Sequence, residues 1–256
     1  MTENKPKPEV IPPTGIRFQL ACLNDSYVVG RMAFLTKLSK LILPAGHWGG
    51  IDRSAGNQDP EQTSKPPLYL TFDDGPHPNT TPYLIELLEA AGVKGTFFLI
   101  GENVERYPDL VKQLHDAGHV IANHSYGHKF MPALKTSTIE REIVKMNDSV
   151  AAITEGAPTL FRPPYGLMDK RVAACLREQE MTAVYWGSAS EDWLLPGADS
   201  VVRRVMRSMR PGLLIVLHEG ALLKNQTVTA AKEIIYRSRD LGYQMQKVEV
   251  PLVSSL

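Results

Sequence analysis

The segment Leu70-Thr71-Phe72-Asp73-Asp74-Gly75-Pro76 is a short apolar run that ends in two adjacent carboxylates and a Gly-Pro turn. Such a pair is common in a solvated turn, because Asp and Gly both favour turns. Here it follows a run typical of a buried strand, where two carboxylates repel each other unless a cation compensates them. Neighbouring residues that leave a strand point in different directions, so one carboxylate can reach a metal ion while the other faces a substrate. We therefore favour a functional site.

Two imidazoles, His124 and His128, lie four residues apart about fifty residues further along the chain. One carboxylate and two histidines form the ligand set of an open catalytic zinc site, which leaves a further position for water or substrate. The spacing resembles a helical His-Glu-x-x-His pair, but no glutamate lies between the histidines, and Gly127 disfavours a regular helix. We expect Asn123 and Ser125 to contact the imidazoles and fix their orientation. The pattern predicts metal-assisted hydrolysis, with the second carboxylate as base.

Composition excludes several classes of protein. The chain has 256 residues, of which 43% are hydrophobic and 22% charged, as expected of a globular domain with a buried core. Lys plus Arg and Asp plus Glu both number 28, so no basic surplus predicts binding of nucleic acid. Cys22 and Cys175 are far apart, which favours a reducing compartment, and residues 1–13 lack the apolar core of a signal peptide. We expect a cytoplasmic protein without a transmembrane span.

The N-terminal region differs from the rest of the chain. Residues 1–15 have the composition of a disordered tail, and residues 49–67 that of a linker. Between them, residues 31–43 place apolar side chains at helical spacing among Arg and Lys. Such a helix can lie on an anionic membrane surface, but we favour docking of its apolar side against the main domain. We therefore divide the chain into an N-terminal extension, residues 1–65, and a main domain, residues 66–250.

From residue 67 onward, short apolar runs alternate with amphipathic helical patterns. The predicted strands are 68–72, 95–100, 119–122, 159–161, 182–186, 213–217 and 244–248, and the predicted helices are 81–91, 108–117, 138–154, 169–178, 199–210 and 227–240. This alternation predicts parallel strands joined by right-handed crossovers. About seven such units favour a barrel over an open doubly wound sheet. The candidate site residues follow the carboxyl ends of the strands, where such barrels place their active sites.

Three more side chains are candidates for the same site. His218 leaves the most apolar predicted strand, where a satisfied core histidine is an equal alternative. Asp192 is its candidate partner, because a nearby carboxylate would keep the imidazole protonated near neutral pH. Arg162 begins the rigid segment Arg162-Pro163-Pro164-Tyr165-Gly166. An arginine held there would orient Asp73 and lower its pKa.

The motifs occur in an order that resembles the polysaccharide deacetylases of carbohydrate esterase family 4, the NodB homology domain, in particular the chitooligosaccharide deacetylases. The resemblance covers about residues 66–250. Its five segments are Thr71-Phe72-Asp73-Asp74-Gly75-Pro76, His124-Ser125-x-x-His128, Arg162-Pro163-Pro164-Tyr165-Gly166, Asp192-Trp193 and Leu217-His218. Ala189 and Glu219 stand where the family often has Asp. Neither is a core catalytic position, so these departures bear on substrate preference and not on activity.

The resemblance implies an α/β fold, a distorted (β/α)7 barrel of the TIM type, and a role for each candidate residue. By position, it assigns Asp73 as base, Asp74, His124 and His128 as metal ligands, His218 as acid oriented by Asp192, Arg162 as support for Asp73, the Tyr165 N–H as oxyanion donor, and Trp193 and Leu217 as the acetyl pocket. The implied cofactor is one divalent metal ion, Zn²⁺ in preference to Co²⁺ or another cation. The implied partner is a carbohydrate substrate.

The predicted function is metal-dependent removal of N-acetyl, or alternatively O-acetyl, groups from an oligo- or polysaccharide that contains N-acetylglucosamine, of chitooligosaccharide or peptidoglycan type. A base that titrates near neutral pH and a protonated histidine would give a bell-shaped rate profile. One alternative is a hydrolase of a small non-peptide amide, whose usual motifs lack the Thr-Phe-Asp-Asp-Gly-Pro run. The other is a non-catalytic carbohydrate-binding protein on the same fold, although degenerate members typically lose the base, a ligand or the acid.

Overall fold

Parallel strands alternate with helices along residues 65–249, the part of the chain that this computed structural model describes. The strands are β1 (Pro67–Asp73), β2 (Thr96–Leu99), β3 (Val120–Asn123), β4 (Leu160–Phe161), β5 (Thr182–Ala183), β6 (Ser188–Ala189), β7 (Leu214–His218) and β8 (Gln244–Gln246). The helices are α1 (Thr81–Ala91), α2 (Gly101–Arg106), α3 (Pro108–Asp116), α4 (Thr136–Ala151), α5 (Lys170–Glu178), α6 (Ala198–Arg207) and α7 (Lys224–Asp240). Short 3₁₀ segments cover Met131–Ala133, Pro164–Gly166 and Asp192–Leu194.

The strands form one parallel sheet in the order β5-β4-β3-β2-β1-β7-β6, and β8 pairs with the first residues of β1. The two outer strands, β5 and β6, are not paired with each other among the described residues. The predicted distorted (β/α)7 barrel is therefore confirmed as an incompletely closed barrel. The register places Asp73 beside Phe98 of β2 and beside His218 of β7, so the carboxyl ends of these strands lie together.

Side chains of the central strands alternate between the helices and the interior of the curved sheet. Leu70 and Phe72 of β1 pack in the large cluster that includes apolar residues of α1 and α7. Tyr69 belongs instead to a smaller cluster with Phe98 of β2. Because side chains alternate along a strand with a period of two residues, Asp73 lies on the same side of the sheet as Tyr69. The carboxylate therefore points inward from the end of β1.

The sequence patterns placed most elements within a few residues of their observed bounds. Helix α1 has the predicted bounds Thr81–Ala91: a proline lies in its first turn, and Gly92 follows its end with a φ of 65°. The N–H of Gly92 donates to the carbonyl of Glu89 at 2.9 Å. Helix α7 begins at Lys224, three residues before the predicted start at 227. The physical signals for these ends are local, so they can be read from the sequence.

One prediction of local structure is wrong, and one short helix was missed. The single strand predicted at 182–186 is replaced by two short strands, because β5 pairs with β4 whereas β6 pairs with β7. Helix α2 was not predicted, because its six residues are too few to show a helical period. Its first N–H groups donate to the carbonyls of Ser125 and Tyr126 at 3.0 and 2.9 Å, so contacts distant in sequence stabilise it.

No helix within residues 65–249 is long and apolar enough to cross a membrane. The predicted tail, the amphipathic segment 31–43, Cys22 and nearly all of the linker lie outside the described residues. The boundary between an N-terminal extension and a main domain at residues 65 and 66 stays a prediction.

Candidate active site

The polar residues at the carboxyl ends of β1, β3 and β7 open onto one cleft with a volume of about 660 Å³. The cleft is lined by Asp73, Asp74, His124, His128, Pro163, Tyr165, Trp186, Trp193, Val216 and His218. Residues from distant parts of the chain meet here because parallel strands end at the same edge of a sheet.

Asp74, His124 and His128 form a group that fits a metal ion. The Oδ1 of Asp74 lies 3.5 Å from Nε2 of His124 and 3.3 Å from Nε2 of His128, and one ligand atom from each residue lies within 4.8 Å of the others. The Asp74 Oδ1 is buried without a hydrogen-bond partner, which is costly unless a cation compensates it. Burial, followed by the charge of His124, lowers the pKa of His128. This favours the neutral imidazole that a metal ion requires.

The ring of His124 is oriented by a backbone carbonyl. Its Nδ1 lies 2.7 Å from the carbonyl oxygen of Arg162, and a carbonyl can only accept, so Nδ1 carries the hydrogen and Nε2 is left for a metal. The predicted contacts of Asn123 and Ser125 with the rings are wrong. Asn123 Oδ1 accepts from the N–H of Ser125 at 2.7 Å, and Ser125 Oγ accepts from the N–H of His128 at 3.0 Å. These two side chains hold the loop backbone instead.

Arg162 is fully buried inside the curved sheet. Its guanidinium donates to the carbonyls of Val184 and Tyr185 at 3.2 and 3.1 Å and to Oγ1 of Thr71 at 2.8 Å. It also lies 3.9 Å from the ring centroid of Phe98. A charge buried this deeply needs such partners to be tolerated. The network therefore fixes the guanidinium in one position.

The same guanidinium holds Asp73. The Nη1 of Arg162 donates to Oδ1 of Asp73 at 2.6 Å, and both side chains are buried. Burial alone would raise the pKa of Asp73, but the charges of Arg162, His124 and His218 outweigh it and lower the pKa. The expectation of a base that titrates near neutral pH is therefore wrong, because the buried guanidinium of Arg162 stabilises the ionised carboxylate of Asp73.

His218 and Asp192 form a second pair, in which Asp192 is fully buried and the side chain of His218 is 17% exposed. The Nδ1 of His218 lies 2.8 Å from Oδ1 of Asp192, and the backbone N–H of His218 donates to Oδ2 at 2.6 Å. The Ser190 hydroxyl also donates to Asp192 Oδ1, at 2.9 Å. Burial lowers the pKa of His218, but the hydrogen bond and charge of Asp192 outweigh this effect and raise the pKa to about 9. The imidazole is therefore protonated at neutral pH, as predicted.

Helix α2 connects the segment that carries Asp74 to the loop that carries His124 and His128. The side chain of Asn103 donates to the carbonyl of Asp74 at 2.9 Å, and the N–H of Gly101 donates to the carbonyl of Ser125 at 3.0 Å. A Cβ at Gly101 would lie 2.5 Å from the ring of Tyr126. The helix can approach the loop this closely only because residue 101 has no side chain.

Of the two residues predicted for the acetyl pocket, Trp193 lines the cleft, whereas Leu217 is fully buried in the cluster that faces the helices. Side chains alternate along β7, so Val216 shares the cleft side with His218 and replaces Leu217 as the lining residue. This alternation, counted back from the histidine, would have identified Val216 from the sequence.

Glu219 supports the turn that carries the two aspartates, a role that no local pattern indicates. Its carboxylate accepts from the hydroxyls of Thr80, at 3.0 Å, and Thr81, and its N–H donates to the carbonyl of Asp73 at 2.9 Å. A Cβ at Gly75 would collide with the carboxylate. Burial raises the pKa of Glu219 to about 7, although the two hydroxyls act in the opposite direction. The family's usual Asp is one methylene shorter, so the Glu fills more of this space.

Comparisons with known proteins agree with this geometry. The family model of polysaccharide deacetylases matches residues 60–184. A chitooligosaccharide deacetylase of Sinorhizobium fredii is 34% identical over 192 residues, which are 71% of this chain and 89% of that protein. The structure of the peptidoglycan deacetylase PdaC from Bacillus subtilis has a TM-score of 0.67 and 31% identity, and the match covers 75% of this chain and 90% of that one.

A solved family 4 pseudoenzyme from Bacillus anthracis is also similar, with a TM-score of 0.68 and 28% identity over 72% of this chain and 64% of that one. Fold similarity alone therefore does not separate active from inactive relatives. The sequence identity over most of the chain, the incompletely closed parallel barrel and the order of the site segments agree with one another. The chain thus belongs to the polysaccharide deacetylase family, carbohydrate esterase family 4, and is a hydrolase that acts on N-acetyl amide bonds.

Proposed function

We propose that this enzyme removes acetyl groups from N-acetylglucosamine units of an oligo- or polysaccharide of chitooligosaccharide or peptidoglycan type, with one divalent metal ion. One observation carries the proposal. A carboxylate held by Arg162 and an imidazole held by Asp192 open onto the same cleft as the Asp74-His124-His128 group. An ionised base, a protonated acid and a ligand set for a cation are the parts that amide hydrolysis requires.

Asp74, His124 and His128 would hold the ion, for which Zn²⁺ is the first candidate. A bound divalent cation supplies Lewis acidity to the acetyl carbonyl and lowers the pKa of water. Asp73 accepts a proton from the water that attacks the carbonyl carbon. Its low pKa keeps it ionised for this step, and the fixed guanidinium of Arg162 sets its position.

His218 donates its proton to the amine nitrogen as the carbon–nitrogen bond breaks, so that a free glucosamine and acetate leave. The pKa of about 9 keeps this acid protonated at neutral pH. The backbone N–H of Tyr165 donates to the developing oxyanion, and Tyr165 adopts a left-handed φ of 60° at the cleft. Trp193 and Val216 shape the space for the acetyl methyl group.

Asp73→Asn is the decisive variant. We expect acetate release to fall by about 10²-fold or more, because the base is removed, while the metal content measured by elemental analysis persists, because the ligand set is intact. Asp148→Asn, an exposed change on α4, is the matched control and should leave both quantities unchanged. Full turnover in Asp73→Asn, or in rigorously metal-free wild-type protein, would refute the mechanism.

The carbohydrate substrate can be identified by measuring acetate release from chitooligosaccharides, peptidoglycan and acetylated xylan with added Zn²⁺ or Co²⁺. Similarity to both a chitooligosaccharide and a peptidoglycan deacetylase supports the first two. Release from xylan alone would instead indicate O-deacetylation.

The similarity to a pseudoenzyme gives a specific reason to test carbohydrate binding without catalysis. That alternative requires retention of a glycan with no release of acetate from any of the three substrates. It is disfavoured because Asp73, Asp74, His124, His128 and His218 are all present and line one cleft. The cytoplasmic location expected from the N-terminal sequence stays a prediction, which cell fractionation would test.

A further inference from the structure

Glu142 binds the residues on both sides of His128. It lies on α4 and is 3% exposed. Its Oε2 accepts from the backbone N–H of Gly127 at 2.7 Å, and its Oε1 accepts from Nζ of Lys129 at 2.6 Å. A single carboxylate outside the ligand set therefore binds the backbone of the residue before a candidate metal ligand and the side chain of the residue after it.

The two candidate histidine ligands are held in different ways. His124 follows the end of β3, its N–H donates to the carbonyl of Leu99 at 2.9 Å, and its ring is oriented by the carbonyl of Arg162. His128 lies in a loop with a left-handed φ of 48°. Among residues 65–249 its ring has no hydrogen bond comparable to that of His124; it contacts Asp74, His124 and Tyr165. The position of its ring therefore depends on the position of its backbone.

Helices α2 and α4 both support this loop. The first N–H groups of α2 bind the carbonyls of Ser125 and Tyr126. Gly127 and Lys129 are bound from α4 through Glu142, whereas the N–H of His128 donates to Oγ of Ser125 at 3.0 Å. A Cβ at Gly127 would lie 3.3 Å from Oε1 of Glu102 and 3.4 Å from Oε2 of Glu142, so side chains from both helices pack against this residue. The left-handed backbone of His128 is strained, and such a conformation persists only where the surrounding structure holds it.

The charges explain why two donors are present. The side chain of Glu142 is 4% exposed and that of Lys129 is 51% exposed, so the carboxylate is desolvated while the ammonium group reaches water. A buried carboxylate with one hydrogen bond would be under-compensated, and removal of a partner from such a pair is strongly destabilising. The hydrogen bond from the N–H of Gly127 fixes the loop backbone relative to α4, and Lys129 supplies the positive charge that compensates the carboxylate.

We propose that Glu142, paired with Lys129, is a positioning residue for His128 and sets the affinity of the Asp74-His124-His128 group for its metal ion. The inference rests on the metal site of the proposed function and goes beyond it, because it assigns metal affinity to an ion pair that touches neither ion nor substrate. Partners that orient metal ligands typically contribute about 10- to 100-fold to metal affinity.

The test measures Zn²⁺ and Co²⁺ affinity of the full chain by competition with a chelating indicator, without substrate. We expect Glu142→Ala to bind each metal about 10- to 100-fold more weakly than wild type. Glu142→Gln keeps an acceptor for the N–H of Gly127 and should recover most of the affinity. Lys129→Met keeps the carboxylate and should cost a few-fold. The absorption spectrum of the Co²⁺ form reports whether the ligand geometry has changed.

Glu140→Ala, an exposed change two residues earlier on α4, is the matched control and should bind metal as wild type does. Circular dichroism and thermal unfolding of the metal-free variants separate loss of fold from loss of affinity. If Glu142→Ala is folded and less stable but binds both metals with wild-type affinity, the role is merely structural and the inference fails. If Glu142→Ala does not fold, wild-type metal affinity in Lys129→Met overturns it, because the ion pair then does not contribute. If wild-type protein binds neither metal, the proposed function itself fails.

Discussion

One end of the parallel sheet holds the buried His119 and the other holds the partly exposed His218, and the pKa values of these histidines shift in opposite directions. His119 directly precedes β3, its Nδ1 accepts from the N–H of Gly95 at 3.1 Å, and its ring packs 5.2 Å from that of Phe97. Burial, followed by nearby lysine charges, lowers its pKa to about 4. At the other end, Asp192 raises the pKa of His218 to about 9. Burial acts alike on both rings, and the neighbouring carboxylate makes the difference.

Backbone strain shows the same contrast between the two ends. Among the described residues, the non-glycine residues with positive φ are Asp74, Ser125, His128, Tyr165, Glu191 and Leu195 at the carboxyl end of the sheet, and Glu180 at the amino end. Conformations of this kind are costly and persist where the surrounding structure determines them. Their concentration around the cleft indicates that the carboxyl end is shaped for the site, while the amino end is free to relax.

The largest effect is expected from Asp192→Asn, which removes the charge that distinguishes His218 from His119. The pKa of His218 should fall, because the hydrogen bond and charge of Asp192 are lost and only the smaller effects of the Asp74 and Asp73 charges then oppose burial. We expect kcat/KM at pH 7 to drop by about 10²- to 10⁴-fold, the usual contribution of a general acid. A pH–rate profile of acetate release measures it, and in wild type the alkaline limb should lie near the pKa of about 9.

The same variant has a stability signature. In wild type the folded pKa of His218 is raised, so its contribution to the free energy of unfolding is complete below pH 6.5 and is lost as the pH rises to about 9. Asp192→Asn should lack this loss. If Asp192→Asn leaves the alkaline limb unchanged both in the pH–rate profile and in the pH dependence of the free energy of unfolding, Asp192 does not set the pKa of His218.

A smaller effect is expected from His119→Asn at the amino end of the sheet, where the pH dependence of the free energy of unfolding should change. The folded pKa of His119 is lowered to about 4, so its contribution to stability is present above pH 6.5 and is lost as the pH falls to about 4. The loss is on the order of 2–3 kcal/mol. His119→Asn retains an acceptor for the N–H of Gly95 but does not titrate. Its free energy of unfolding, measured in urea, should therefore fall less steeply between these pH values.

His115→Asn provides the control, because His115 is exposed on α3. It should follow the wild-type dependence on pH. The same acid dependence in His119→Asn as in wild type would show that other groups cause the loss, and the contrast between the two histidines would then fail.

The smallest effect is expected from Glu180→Gly. Glu180 has a φ of 52° and follows α5 at the amino end, so glycine removes the left-handed penalty there. We expect the free energy of unfolding to rise by about 0.5–1 kcal/mol with unchanged activity. Glu178→Gly lies within α5, where glycine should instead destabilise by a similar amount. A loss of activity in Glu180→Gly would contradict the division between the two ends.

Much of the site could be predicted because its residues carry local signals. Two adjacent aspartates after an apolar strand, two spaced histidines and an arginine before a double proline are unusual patterns on their own. Their family order then assigned roles, and the structure brings Asp73, Asp74, His124, His128 and His218 into one cleft. Leu217 was misplaced because its neighbour Val216, and not Leu217, shares the side of His218.

The supporting residues could not be predicted in this way. In the sequence, Glu142 and Glu219 look like ordinary charged residues in a helix and after a strand. The partners of Glu142 lie 13 and 15 residues away, and the hydroxyl partners of Glu219 lie 138 and 139 residues away. The segment at 182–189 has no internal sign that its halves pair with different strands. Pairings between distant residues leave no pattern within either segment.

The amino-acid sequence by itself determined the alternation of strands and helices, the ends of helices such as α1, and the chemical identity of the candidate base, acid and ligands. These follow from local periodicity, capping and side-chain chemistry. The tertiary structure alone decided the strand order, the carbonyl of Arg162 that orients His124, and the carboxylate of Glu142 that holds the chain around His128. Those features depend on desolvation and on contacts across the fold, which exist only when the chain has packed.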